Sequence, residues 1–189
     1  MLYEELQKDA QVAELLKKGN RDLGVLGFTD HSAAHTTLVA ERAAYILRKL
    51  GYSEREQELA KIAGLLHDIG NSVNRTHHAE YGALLAWDIL RDKPLTLVER
   101  VTVISAIGNH DESTGGAKDP VSAALVLADK TDVRRNRVRE KEREKFDIHD
   151  RVNYAVERSD VDLDKEAKTI TLTLTINTEV CAVMDYFEI

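Results

Sequence analysis

The sequence of 189 residues is poor in several features that common kinds of protein require. Cys181 is its only cysteine, so neither an intramolecular disulfide nor a cysteine-based zinc site can form within the chain. No apolar run approaches the roughly 20 residues of a membrane-spanning helix, and the first residues are neither basic nor apolar as in a targeting segment. These absences predict a soluble protein of the reducing cytoplasm.

Positive charge is also scarce relative to negative charge. The chain carries 26 Lys and Arg against 33 Asp and Glu, which gives a formal net charge of -7. An acidic balance argues against a general nucleic-acid binder and against binding to anionic membranes. With 43% apolar residues and no internal repeat, the chain is long enough to bury one sizeable core, alone or with an appendage.

Apolar residues recur at three- and four-residue steps over much of the first 130 residues, which predicts helices. Residues 2–18 form an amphipathic pattern that is expected to stop at Gly19 and Asn20. Further helix starts are indicated by capping residues at Asp30 or Ser32, Ser53 with Glu56, Thr96 with Glu99, and Asp119 before Pro120, and another helix is expected from Thr76 to about Leu90.

The pattern changes toward the C-terminal end. Residues 134–146 are dense in charges of both signs, which favours a solvated, salt-bridged helical face. Beyond Arg151, polar and apolar residues alternate, which predicts a β-hairpin with Thr171, Thr173 and Thr175 on one face. Thr178 is expected to cap a short terminal helix.

These patterns predict two parts: a helical metal-binding domain at residues 1–150 and an appendage of hairpin and short helix at residues 151–189. The last segment carries no helix-stop signal. We therefore expect it to continue into further chain or to contact a partner, including a second copy of this chain.

Histidine and aspartate interrupt the apolar stripes. The run AKIAGLLHDIGN ends in His67 and Asp68, and the small residues Ala60, Ala63 and Gly64 beneath His67 permit another helix to approach closely. Asp129 lies four residues after Leu125, which puts a carboxylate on an apolar face, where Asp is rarely buried without a partner or a metal. The inward-facing groups predicted in this way are His35, His67, Asp68, His78, His110 and Asp129.

Four imidazoles and two carboxylates are about what two metal ions need when they share one carboxylate and keep open positions. Two further histidines are less distinctive. His31 lies four residues before His35, so the two could bind one metal, although a hydrogen-bonded, half-buried histidine is the simpler interpretation of His31. His77 directly precedes His78, so its side chain points about 100° away around the helix, and it is expected to be exposed or to lie behind the ligands.

The order H…HD…H…H…D resembles that of the HD-domain superfamily of metal-dependent phosphohydrolases. The matching motifs are HTTLV, AGLLHDIGN, HAEYGA, IGNH and LADKTD, and they cover about residues 30–135. The resemblance implies a mainly α fold, a bundle of about five core helices to which the N-terminal helix and the hairpin are added. The metal ligands that it implies are His35, His67, Asp68 and Asp129 for a first ion, and His78, His110 and the bridging Asp68 for a second.

The reaction that this resemblance implies is hydrolysis of a phosphate ester, in a nucleotide or another small phosphorylated compound. Two ions per chain, with iron, manganese or zinc favoured over magnesium, would activate a bridging water for in-line attack at phosphorus. Lys130 and Arg134 are expected to offset phosphate charge, and His31 or His77 is expected to protonate the leaving oxygen. The predicted catalytic residues are Asp68, Lys130 and His31.

Two departures from the family pattern bear on the substrate. Asn71 follows HDIG where the subgroup that cleaves cyclic dinucleotides usually has Lys, and DESTGG follows His110 where that subgroup has Gly-Tyr-Pro. Cyclic-di-GMP is therefore not the expected substrate. The same six ligands also resemble those of the di-iron oxygenases of the superfamily, which act on a polyol or phosphonate, and the hairpin is compatible with a non-catalytic metal- or nucleotide-binding regulator. These alternatives remain open at the level of sequence.

Overall fold

The computed structural model describes residues 1–111 and 113–188. Glu112, in the loop predicted after His110, and Ile189, at the end of the predicted C-terminal segment, lie outside the described residues. In the described part of the chain the elements are α1 (Leu2–Gln7), α2 (Ala10–Val25), α3 (Ala33–Leu50), α4 (Glu54–Leu66), α5 (His78–Ile89), α6 (Leu97–Gly108), α7 (Pro120–Lys130), α8 (Ile148–Ala155), β1 (Val156–Asp164) and β2 (Thr169–Ile176).

Most helices begin at the predicted capping residues. Ser32, and not Asp30, caps α3, because its side chain accepts a hydrogen bond from a backbone N–H of the first turn. Ser53 and Thr96 form the predicted capping boxes of α4 and α6, and Asp119 caps α7. Gly51 ends α3 with a φ of 86°, a conformation that glycine adopts without strain. Local hydrogen bonding therefore sets these helix ends.

The prediction of a single N-terminal helix over residues 2–18 is wrong. Asp9 divides this segment, since its carboxylate accepts two backbone N–H groups of the first turn of α2. Helix α2 then continues past Gly19 to Val25. Gly19 serves packing instead: a Cβ at this position would lie only 3.0 Å from the backbone nitrogen of Ser72. The glycine thus lets α2 approach the segment that follows His67 and Asp68.

Helices α3 to α7 correspond to the five predicted core helices, and two close backbone contacts position the metal-binding candidates among them. A Cβ on Gly64 of α4 would lie 2.6 Å from the Cα of Ala40 in α3. A Cβ on Gly70 would lie 2.0 Å from the carbonyl oxygen of His78, at the start of α5. The small residues predicted beneath His67 therefore do permit the close approach of a neighbouring helix.

The charged segment 134–146 is not the predicted surface helix. It forms two 3₁₀ turns, Arg135–Arg137 and Arg143–Lys145. Arg137 is buried, and its guanidinium donates to the carbonyl oxygens of Asp132, at 2.7 Å, and of Asp30, at 3.0 Å. These contacts to distant backbone explain why the charge pattern, which was interpreted as solvated, does not lead to a regular helix.

The predicted hairpin is present. Strands β1 and β2 pair antiparallel, and Thr171, Thr173 and Thr175 lie on the exposed face of β2. The hairpin is joined to the helical core at Ser159, whose hydroxyl donates to the carbonyl oxygen of Thr131 at 2.7 Å. The last described segment is a 3₁₀ helix, Val183–Glu188, which does not begin at the predicted cap.

The predicted division at residue 150 falls inside α8. A second apolar cluster, smaller than the helical core, includes Val133, Val152, Ala155, Val156 and Cys181, so α8 and β1 share it with the end of the chain. The assignment of two domains stays a prediction. Within the described ranges, no helix combines the length and the apolar character needed to cross a membrane.

Candidate metal centre

The six predicted ligands converge at the ends of core helices. His35 lies in the first turn of α3, His67 and Asp68 follow α4, and His78 begins α5. His110 follows α6, and Asp129 lies near the end of α7. The four histidines and Asp68 are each at most 4% exposed, whereas the side chain of Asp129 is 24% exposed. The cluster is therefore nearly closed and opens on the side of Asp129.

Two histidines and two carboxylates form what we call the first half-site: His35, His67, Asp68 and Asp129. The Nε2 atom of His35 lies 3.5 Å from Oδ2 of Asp68 and 3.2 Å from Oδ1 of Asp129. The Nε2 atom of His67 lies 3.3 Å and 3.7 Å from the same two oxygens. Two nitrogen and two oxygen donors thus surround one small volume.

The second half-site comprises His78, His110 and the other oxygen of Asp68. The Nε2 atoms of the two histidines are 3.2 Å apart, and Nε2 of His78 lies 3.8 Å from Oδ1 of Asp68. Oδ2 of Asp68 faces the first half-site and Oδ1 faces the second. Asp68 therefore stands where a carboxylate shared by two ions is needed.

The Nδ1 atom of each of these histidines is held by the protein. In His67, His78 and His110 it lies 2.7–3.1 Å from the backbone carbonyl oxygen three residues earlier. In His35 it lies 2.7 Å from Oδ2 of Asp132. An acceptor at Nδ1 keeps a proton there, so Nε2 is the ring atom that points to the centre and is left to bind a metal.

The donor atoms of the first half-site fit a metal ion. Among the described residues, Nε2 of His35, Nε2 of His67 and Oδ2 of Asp68 are buried without a hydrogen-bond partner. Each such atom costs about 1–3 kcal/mol if it stays unsatisfied, and several acceptors facing one another add repulsion. Imidazole nitrogen and carboxylate oxygen are donors that iron, manganese and zinc accept. A cation in this volume would satisfy all three.

Known protein families share both the sequence pattern and the fold of this chain. The family model described as HD domain matches residues 33–187. This chain belongs to the HD domain family. The match includes the hairpin and most of the last segment as well as the helical core.

Two relatives of this HD protein are informative. An uncharacterised protein, MJ1020 of Methanocaldococcus jannaschii, is 30% identical over 202 residues, which cover 95% of this chain and 77% of the relative. The crystal structure of a predicted HD superfamily hydrolase from an uncultured Thermotogales bacterium has 25% identity and a TM-score of 0.50, over 65% of this chain and 67% of that one. The predicted fold, a mainly α HD-type bundle, is thereby confirmed.

The two half-sites of this HD protein differ in charge. Burial lowers the pKa of His67, but the adjacent Asp68 carboxylate more than offsets this and raises the pKa to about 9. In the second half-site burial dominates: it lowers the pKa of His110 to about 4, and it also lowers the pKa of His78. The Asp68 carboxylate therefore favours positive charge at His67, whereas burial disfavours it at His78 and His110.

Sequence reasoning missed two buried residues behind the ligands. Asp132 is 1% exposed and contacts both His35 and the Arg134 guanidinium. The sequence feature that could have identified Asp132 is its position in LADKTD, three residues after Asp129. Asn71 donates from Nδ2 to Oδ1 of Asp68 at 2.8 Å, so it orients the shared carboxylate. Ligand orientation by such residues is usual in metal sites.

A cavity of about 80 Å³ opens over the centre, several times the roughly 10–15 Å³ that one water requires. Lys130 lies at its rim with an exposed side chain. Arg75 and Asp111 also line it, although both come from loops and carried no sequence signal. The lining residues are His31, Asp68, Arg75, His78, His110, Asp111, Asp129 and Lys130.

The predicted proton donors are less well placed. His31 lines the cavity, but its Nδ1 lies 2.8 Å from the carbonyl oxygen of Thr29 and its Nε2 lies 3.2 Å from a guanidinium nitrogen of Arg137. Arginine only donates, so Nε2 of His31 must be an acceptor with no proton to give. The same contact occupies the lone pair that a metal shared with His35 would need.

His77 and Arg134 do not reach the cavity. The His77 side chain is 59% exposed and faces Glu80 on the surface of α5. The guanidinium of Arg134 binds both carboxylate oxygens of Asp132, from Nη2 at 3.0 Å to Oδ2 and from Nε to Oδ1. Arg134 therefore supports the residue that orients His35, and the structure does not place it at the predicted phosphate position.

Proposed function

We propose that this HD-family chain is a metal-dependent phosphohydrolase that cleaves a phosphate ester of a small compound, such as a nucleotide. The observation that carries the proposal is the position of Asp68. Its Oδ2 lies 3.3–3.5 Å from Nε2 of His67 and His35, and its Oδ1 lies 3.8 Å from Nε2 of His78. Ions held by the two half-sites would supply Lewis-acid activation of water and neutralise charge on the phosphoryl group.

The residues of the chain would prepare this chemistry by orientation. Asp132 holds the ring of His35 through Nδ1, and Asn71 holds Asp68 through Oδ1. Both contacts are buried, so the ligands keep their directions before a substrate arrives.

Cationic side chains at the rim of the cavity would offset the negative charge of the substrate. Lys130 and Arg75 line the cavity, and both side chains are cationic. A phosphate ester bound between them would have its phosphoryl oxygens within reach of positive charge, as phosphoryl transfer requires. An anionic substrate therefore suits this cavity better than a neutral one.

The test combines metal analysis with an assay under two atmospheres. Protein purified without chelators should contain iron, manganese or zinc, up to two ions per chain. A panel of phosphomonoesters and phosphodiesters should be hydrolysed equally well with and without oxygen, measured as phosphate from the monoesters and as alcohol plus phosphomonoester from the diesters.

Two outcomes would contradict the proposal. Turnover that strictly requires oxygen would favour the oxygenase alternative. Tight nucleotide binding by the metal-loaded protein, with no product from any substrate of the panel, would favour the regulator.

A further inference from the structure

Arg75 reaches from the loop before α5 into the second half-site. Its Nη1 atom lies 3.3 Å from Nε2 of His78 and 3.4 Å from Oδ1 of Asn71. Its Cζ atom lies 5.1 Å from the centroid of the Phe28 ring. The guanidinium is thus held from three sides, with one nitrogen directed at a predicted metal ligand.

The contact with His78 fixes where the proton of that ring lies. A guanidinium has five N–H donors and no acceptor, so Nε2 of His78 must accept the hydrogen bond. The Nδ1 atom of the same ring lies 3.1 Å from a carbonyl oxygen, which only accepts, so Nδ1 carries the proton. The ring is neutral, and its one available lone pair points at Arg75.

His110 faces the same point. Its Nδ1 lies 2.7 Å from the carbonyl oxygen of Ile107, so its lone pair is also on Nε2, and that atom is 3.2 Å from Nε2 of His78. Two lone pairs this close repel unless a positive group lies beside them. The guanidinium of Arg75, whose Nη1 lies 3.3 Å from Nε2 of His78, supplies such a positive group.

A metal ion would need the lone pair of His78 that Arg75 uses. We propose that Arg75 and a metal ion compete for the second half-site, so that Arg75 is a tethered cation that the second ion must displace. This inference rests on the proposed metal centre but not on the reaction. It makes the second half-site weaker for metal than its ligands alone would be, and it allows the chain to hold one ion with Arg75 in place or two ions with Arg75 displaced.

The competition is measured by adding Mn²⁺ to metal-free protein under anaerobic conditions, followed by calorimetry and by electron paramagnetic resonance, which distinguishes single from coupled ions. The parent should bind in two steps. Arg75→Met should tighten the second step about tenfold, the gain expected when one charged hydrogen bond no longer has to be broken, and leave the first step unchanged.

Two further variants test whether the effect is specific to Arg75 and whether it depends on its positive charge. Arg91→Met is the matched control, because Arg91 is an exposed arginine paired with Asp88 outside the centre, and its steps should equal those of the parent. Arg75→Lys keeps a positive donor and should stay closer to the parent than Arg75→Met. It also keeps the comparison usable if Arg75→Met folds poorly.

Several results would overturn the inference. A second step that is unchanged or weaker in Arg75→Met would show that Arg75 does not compete. One ion per chain in both parent and Arg75→Met would show that the second half-site is not a metal site. Tightening in Arg75→Met, together with no hydrolysis of any phosphate ester by the metal-loaded parent, would support the inference and contradict only the proposed function.

Discussion

The two half-sites share Asp68 but differ in what surrounds their histidines. In the first, His35 and His67 face Asp129 as well as Asp68, and Asp132 lies behind His35. In the second, His78 and His110 are supported by backbone carbonyls, and Arg75 brings a positive charge. Carboxylates therefore surround the first half-site, whereas at the second the Arg75 guanidinium lies beside His78 together with the Asp111 carboxylate.

This difference indicates that the affinity of a half-site for metal depends on the charges around its ligands as well as on the identity of the ligands. Carboxylates near the first half-site favour positive charge, as the raised pKa of His67 shows. Burial, together with the neighbouring His67, lowers the pKa of His110 even though the carboxylates of Asp129 and Asp68 oppose this shift. We expect the first half-site to fill before the second.

The largest effect is expected where the half-sites meet. Asp68→Ala should abolish metal uptake at both half-sites and reduce turnover to background, because one carboxylate faces both histidine pairs. Metal analysis and the phosphate-release assay measure this. Asp92→Ala, which removes an exposed aspartate, should behave as the parent. Full activity in Asp68→Ala, or two bound ions, would contradict the site as described.

A substitution of Asp132, which lies behind His35, should affect the first half-site more than the second. Asp132→Asn keeps the size of the side chain but removes the charge beside Nδ1 of His35. The first step of Mn²⁺ binding should weaken by about 10- to 100-fold, the usual cost of losing such a partner, while the second step changes less. Equal losses at both steps would mean that Asp132 acts on the fold of the whole centre.

The second half-site should be sensitive to the contact of Gly70 with α5. Gly70→Ala places a Cβ 2.0 Å from the carbonyl oxygen of His78, so α5 has to move. Overpacking of this kind costs about 1–3 kcal/mol, and the second Mn²⁺ step should weaken more than the first. Urea unfolding measures the stability change. Gly116→Ala is the control, because a Cβ there meets nothing within 4 Å.

The smallest effect is expected at the rim. Lys130→Ala should leave both Mn²⁺ steps unchanged and lower kcat/KM by a factor that corresponds to about 1.5 kcal/mol, one charged hydrogen bond to phosphate. Lys17→Ala, in a lysine that is 74% exposed on α2, should have no effect. An unchanged kcat/KM in Lys130→Ala would remove this lysine from substrate binding.

Much of the centre was predictable because its ligands end or interrupt apolar stripes. His35, His67, His78 and His110 all lie where a helical period turns them inward, and the structure buries each of them. The capping residues Ser53 and Thr96 were equally predictable, because a capping residue forms hydrogen bonds with the first turn of the helix that follows it. Such features depend on neighbours within four residues.

Features that depend on distant neighbours were not predictable in this way. Arg137 was interpreted as a solvated charge, yet it is buried against the backbone of Asp30, more than 100 residues away in the chain. The first helix boundary was predicted wrongly because Asp9 caps the start of α2. Gly19 was expected to end a helix, but it lies inside α2 and provides a packing contact. Arg75 lies in the loop before α5 and carried no signal in the sequence.

The sequence by itself determined the helical period, the caps and the ligand types, because each of these follows from residues within one or two turns. Only the tertiary structure decided which oxygen of Asp68 faces which histidine pair and that Arg75 enters the second half-site. The physical reason is distance: lone pairs and charges interact over a few ångströms, and packing alone brings together groups from helices that are far apart in the chain.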